Sequence, residues 1–165
     1  MDSNIKAYQD YLIKEKNYSP LTVQAYIADV LSFQQYLQDS HEAILMEEVI
    51  YSQIRSWIVV LVENNISNTS INRKISSLKS FYKFLLKCKQ ISVNPLLKHK
   101  SLKTAKKVQI PFSEKELQDV FELNSYPNDF EGIRNQLIIE LFYTTGMRRA
   151  EMINLSITNV DLLQK

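Results

Sequence analysis

Apolar residues recur at three- and four-residue spacing along most of this chain, the period of an amphipathic helix, and little in the pattern supports a β-rich fold. Ile5, Tyr8, Leu12 and Ile13 follow that period and predict a first helix over residues 4–16. Tyr18-Ser19-Pro20 then supplies a break, a capping hydroxyl and a proline suited to the first helical position. The helix it opens runs to about residue 38 and is apolar on much of its circumference, as the central member of a bundle should be. After a polar turn, Glu47 and Glu48 favour a third N-terminus, with Ile50, Ile54, Trp57, Ile58 and Leu61 as its buried stripe. Asn64-Asn65 and Ser67-Asn68 end that helix and open a fourth over about 69–89.

The pattern dissolves at Ile91. Pro95 and Pro111 bracket an irregular basic stretch that reads as a domain linker over 91–112. Beyond it, Ser113 with Glu116 forms a capping-box signature for a helix to about residue 123. SYPNDFEG reads as a loop, 134–143 as a strongly apolar helix, and Thr144-Thr145-Gly146 as an interruption before helix resumes over 147–155. The expectation is an all-α chain, with a four-helix domain at 1–90, the linker, and a second helical region at 113–165.

Composition agrees, with only two glycines and four prolines in 165 residues. The single Cys88 excludes an internal disulfide, and neither a secretory signal nor an apolar run of 18 residues occurs, so the cytoplasm is the expected compartment and no membrane partner is expected. His41 and His99 stand alone among polar residues, which leaves no metal site to predict.

Charge changes the picture more. Residues 1–63 hold four Lys/Arg against nine Asp/Glu, and 114–165 hold five against nine. Between them, 64–113 carry eleven basic residues and no carboxylate. Such a stretch repels itself unless a polyanion neutralises it. On the fourth helix, Ile71, Ile75, Leu78, Tyr82, Leu85 and Leu86 fall on one side of a wheel. Arg73, Ser76, Ser77, Ser80, Lys83 and Lys87 fall on the other, a row of cations and small hydroxyls suited to phosphate oxygens. Phe84, on that polar side, is an exception the sequence does not explain.

In TTGMRRAEM, Arg148 and Arg149 stand at a helix start, where the dipole disfavours cations and a bound anion would reverse the sign. Glu151, three residues after Arg148, could fix its guanidinium; a plain surface ion pair is the other reading. The string RNQLIIELFYTTGMRRAEMINLSITNVDL resembles the first conserved box of the tyrosine recombinase (phage integrase) family. NYSPLTVQAYIADVLSFQQYL and TSINRKISSLKSFYKFL are similar to the second and fourth helices of that family's N-terminal core-binding (SAM-like) domain. The likeness spans nearly the whole chain and looks most like Xer-type recombinases and mobile-element integrases.

That resemblance implies site-specific strand exchange on double-stranded DNA through a phosphotyrosyl intermediate, by sister recombinase subunits, without metal or nucleotide cofactor. It implies that Arg148 contacts the scissile phosphate, with Glu151 supporting it. Thr22, Tyr26, Ser70, Arg73, Ser77 and Ser80 match positions near the DNA backbone or major groove, with Lys74 and Lys83 beside them, and Lys103, Lys106 and Lys107 would track phosphates. The family's lysine, histidine, second arginine and tyrosine nucleophile are expected beyond Lys165, so the chain is expected to bind DNA without cleaving it. Two other classes remain: a helical protein-interaction module, and a helix-turn-helix regulator, against which the expected short turn is not evident.

Overall fold

The computed structural model describes residues 3–40, 45–105, 108–122 and 126–160. All regular structure among them is helical, and the chain divides into two compact units, Met1–Lys106 and Lys107–Lys165.

The first unit is a four-helix bundle of α1 (Ser3–Lys14), α2 (Pro20–Asp39), α3 (Tyr51–Glu63) and α4 (Asn68–Lys87). Ser19 caps α2 and Ser67 caps α4, each side-chain oxygen accepting from the backbone N–H three residues on. α3 and α4 end in left-handed Asn65 and Lys89, with Ile66 N–H returning to Leu61 O and Gln90 N–H to Leu85 O, so the last carbonyls are satisfied. α4 is the hub and packs on α2, α3 and α1. Its Phe81 and Phe84 meet Tyr8 at 5.2 and 5.5 Å between ring centroids, while Phe33 and Trp57 join α2 to α3 at 5.0 Å.

Several expectations shift once helices surround α4. Phe84 is buried against Tyr8 and Tyr11, and Leu86 and Ile13 are exposed instead. α3 starts at Tyr51 rather than near Glu47. Met46 and Val49 enter the core from a turn, Glu47 bonds the Asn4 amide, and Ile50 is a 61% exposed N-cap residue whose N–H donates to Gln53 Oε1.

Much of the stretch 91–112 is packed onto the bundle. Leu96 is fully buried in the core, Leu102 packs against it, and the Asn72 side chain bonds both backbone polar groups of Leu102. Further on, Val108, Ile110 and Phe112 are exposed.

The second unit holds α5 (Glu114–Glu122), α6 (Phe130–Thr145), α7 (Arg149–Ile153) and a 3-10 turn at Ile157–Asn159. The Ser113–Glu116 capping box forms as the sequence predicts, and the Ser113 backbone N–H, then its hydroxyl, hold the Glu116 carboxyl below its usual range. α6 starts four residues before the predicted 134, because Asp129 caps it by accepting from Gly132 N–H at 2.8 Å. Phe121 and Tyr143 join α5 to α6 at 5.1 Å. Among the described residues of this unit only Gly132 is buried.

Candidate nucleic-acid interface

The cationic row of α4 does not stand uniformly in solvent. Asp29, on α2 and 2% exposed, accepts from Arg73 Nη1 at 2.6 Å and Nη2 at 3.1 Å, from Lys74 Nζ at 3.2 Å and from the Ser77 hydroxyl at 2.8 Å. A buried carboxylate is tolerable only when so satisfied, and this one bolts α2 to α4. Ser77 is 1% exposed, so its assignment to a DNA-facing surface is corrected: its hydroxyl is consumed inside the protein. Arg73 and Lys74 also serve this bolt. Their pair of charges against one carboxylate leaves the cluster net positive, and half of the Arg73 side chain remains accessible.

Thr22 and Ser70 sit at matching places, each hydroxyl within 3.0 Å of the hydroxyl capping its own helix. Both sites therefore belong to the first turns of α2 and α4.

On the same bundle lies an open groove of about 360 Å³, walled by Tyr11 of α1 and the turn after that helix, by α2 and by α4. It gathers Tyr26, Ser80 and Lys83, which the sequence singled out, with Tyr11, Lys16, Tyr18 and Lys79, which it did not. Lys16, Lys79 and Lys83 have no ion-pair partner among the described residues, and no carboxylate lines the groove. Tyr18 and Tyr26 meet edge to face at 5.7 Å, and the Lys16 and Lys87 ammonium groups lie 5.7 and 5.0 Å from the Tyr11 ring centre. Lys87 is held by Glu15 at 2.8 Å, which raises its pKa, so it is a neutralised cation beside the Tyr11 ring. The wheel of α4 could place Lys79, but only the packed bundle brings α1 and the 16–18 turn to it.

Of the remaining expected contacts, Lys103 is exposed, and Lys106 and Lys107 lie outside the described residues.

Arg148 and Glu151 meet by local rules alone. Thr144 and Thr145 turn their hydroxyls back to the Glu140 and Leu141 carbonyls, and Gly146 ends α6 at φ 64°, a left-handed conformation that glycine takes without strain. Arg148 is then the N-cap residue of α7 rather than a first-turn residue. Glu151 Oε2 accepts from the Arg148 backbone N–H at 2.7 Å and Oε1 from its Nη1 at 3.0 Å. The backbone N–H, then the guanidinium, hold the Glu151 carboxyl below its usual range. The Arg148 side chain is 85% exposed and bound through one nitrogen, which leaves donors for an outside anion.

Both sites lie on a chain whose residues 5–89 match the model of the phage integrase N-terminal SAM-like domain and whose residues 112–165 match that of the phage integrase family. The chain belongs to the tyrosine recombinase (phage integrase) family. It is 36% identical over 154 residues to a tyrosine recombinase XerC of Bacillus licheniformis, a match covering 93% of this chain and 50% of that protein. Its identity to the Bacillus subtilis XerC is 35% over 158 residues, covering 96% and 51%. With the Oceanobacillus iheyensis XerC it shares 36% over 160 residues, covering 95% and 51%. The chain thus spans about half the length of the curated relatives it matches. No solved structure gives a significant match. The expected all-α, SAM-like architecture of this recombinase-family chain is borne out.

Proposed function

We propose that this chain supplies the DNA-engaging groove and the first catalytic arginine of a site-specific tyrosine recombinase acting in the cytoplasm with sister subunits. The observation that carries the reading is the carboxylate-free groove in which Lys16, Lys79 and Lys83 stand unpaired among tyrosine and serine hydroxyls. Three ammonium groups beside short donors suit a run of phosphates, and they hold the duplex by charge more than by base identity. Half-accessible Arg73 adds positive charge on α4 while bolting the bundle, and Thr22, Ser70 and Lys103 are further polar or cationic groups outside the groove lining that would meet the duplex. Arg148, directed by Glu151, would stabilise the charge that grows on the scissile phosphate oxygens during attack.

The test is anisotropy of a labelled duplex across a salt series. The parent chain should bind with an affinity that falls steeply as salt rises. Lys79→Ala with Lys83→Ala should weaken it and flatten the log–log salt slope by roughly 0.9 for each phosphate no longer neutralised. A helical protein-interaction module would instead give no binding even at low salt, and an unchanged slope in the double variant would remove the groove from the interface.

A further inference from the structure

The strap formed by residues 94–103 is pinned to α4 by side-chain amides in place of strand pairing. Asn72 Nδ2 donates to Leu102 O at 2.9 Å, Leu102 N–H donates to Asn72 Oδ1 at 2.9 Å, and Asn68 Nδ2 donates to Lys103 O at 2.8 Å. The Asn72 amide thereby acts as a peptide group, fixing the register of the strap to a single residue. Buried Leu96 and half-buried Leu102 anchor both ends, and between them the Tyr51 hydroxyl and His99 Nδ1 lie 3.2 Å apart.

What makes the clamp more than a fastening is where it stands. Asn72, Ser76, Lys79 and Lys83 are spaced four, three and four residues apart, so they share one face of α4, and Ser76 donates to the Asn72 carbonyl at 2.9 Å. The clamp therefore lies at one end of the row that lines the groove. From Asn72 to Lys83 the helix rises about 17 Å, the length of roughly five base-pair steps at 3.4 Å each. Lys103, exposed and without an ion-pair partner among the described residues, is delivered to the end of that row.

We propose that Asn72 is a positioning residue for nucleic-acid binding: it holds the strap so that Lys103 extends the cationic track of Lys79 and Lys83 before any DNA arrives. The inference rests on the groove reading above. Ordering Lys103 in advance removes a conformational cost from binding that a free linker would bear at the moment of association.

The experiment uses the full chain, with hydrogen exchange at the Leu102 amide and duplex binding across a salt series, for Asn72→Ala, Asn68→Ala, Lys103→Gln, and Asn72→Ala with Lys103→Gln. Asn72→Ala should speed Leu102 exchange about tenfold or more, because both bonds that hold the Leu102 backbone are lost. It should weaken duplex binding roughly three- to tenfold, by the same reasoning. Asn68→Ala, which removes only the Lys103 bond, should do both to a smaller extent and guards against a folding defect in the first variant. The double variant should bind no more weakly than the worse of its two parents, because clamp and lysine act as one unit. Unchanged Leu102 exchange, a released strap with normal affinity, or full additivity of the two substitutions would each overturn the proposal. Lys79→Ala with Lys83→Ala separates the two claims. Normal binding by that variant sinks the groove reading and the shared track with it, while weak binding there beside normal binding by Asn72→Ala sinks the clamp alone.

Discussion

The two units of this chain make helices equally well and bury them very differently. In Met1–Lys106 four helices and the strap close on a core that includes Tyr8, Phe33, Leu78, Phe81, Tyr82 and Leu96, all with no exposed surface. In Lys107–Lys165 comparable apolar side chains, among them Phe130, Ile133, Leu137 and Ile153, stand largely in solvent. Periodicity and caps mark where a helix can form, whereas holding it firmly needs a packing partner on its apolar face. The two candidate sites divide the same way. The groove exists because three separate stretches of the first unit converge, while the Arg148–Glu151 pair is built within a few residues by caps and one glycine and needs no core.

Emptying one position in each unit should give the largest contrast between them. Phe81→Ala should destabilise the bundle by about 3–5 kcal/mol, and Leu137→Ala by no more than about 0.5 kcal/mol. Denaturation followed by the fluorescence of Trp57, the single tryptophan, reads the first unit, and amide exchange over residues 130–145 reads the second. Equal costs for the two variants would erase the distinction.

Next in size is the bolt. Asp29→Ala leaves Arg73, Lys74 and Ser77 without their shared acceptor and should cost about 3 kcal/mol, the lower end for a broken buried pair because both cations reach solvent. A midpoint unmoved in the same denaturation series would mean that the cluster contributes nothing to holding α2 on α4.

Gly132→Ala probes the second unit where it is tight. A Cβ there would lie 1.8 Å from the Pro127 carbonyl oxygen, so the turn before α6 must shift. An overpacking cost of about 1–3 kcal/mol is expected, read as faster amide exchange over residues 130–136 with no change at Trp57. Transmission to the Trp57 signal would show the units to be energetically one.

The smallest effect concerns pH. Burial, then the nearby charge of Lys79, lowers the His99 pKa, so the docked strap favours the neutral ring. A free imidazole takes its proton from about pH 6.5 downward. The contribution to docking is therefore complete above that value and is lost as pH falls through the lower pKa of the docked state. Leu102 amide protection, corrected for intrinsic exchange, should fall on acidification from pH 8 to pH 5, and a flat profile would remove His99 from the latch.

Much of this was legible beforehand. Ser19-Pro20, the Ser113–Glu116 box and Gly146 each act through backbone groups a few residues away, so they could be read where they stand, although α6 runs on through Thr144 and Thr145, two residues past the predicted 143. Phe84 and Ser77 could not. A wheel divides a helix into two faces, but α4 is enclosed by three neighbours, and its buried arc extends over positions that look polar. The strap escaped for a related reason: nothing in SVNPLLKHKSLK announces that Asn72, thirty residues earlier, will bond the Leu102 backbone.

Residue order alone was enough for the existence of the helices, the Ser19, Ser67 and Ser113 caps, the concentration of positive charge between residues 64 and 113, and the local fastening of Glu151 to Arg148, because each depends on neighbours within about one helical turn. Which cations stay unpaired was settled by the packing of the helices. Asp29 lies more than forty residues from Arg73 and Glu15 more than seventy from Lys87, yet packing brings them into contact and leaves Lys16, Lys79 and Lys83 facing an open groove. Charge is written in the sequence, but its neutralisation depends on distance in space, which the chain acquires only when α1, α2 and α4 close on one another.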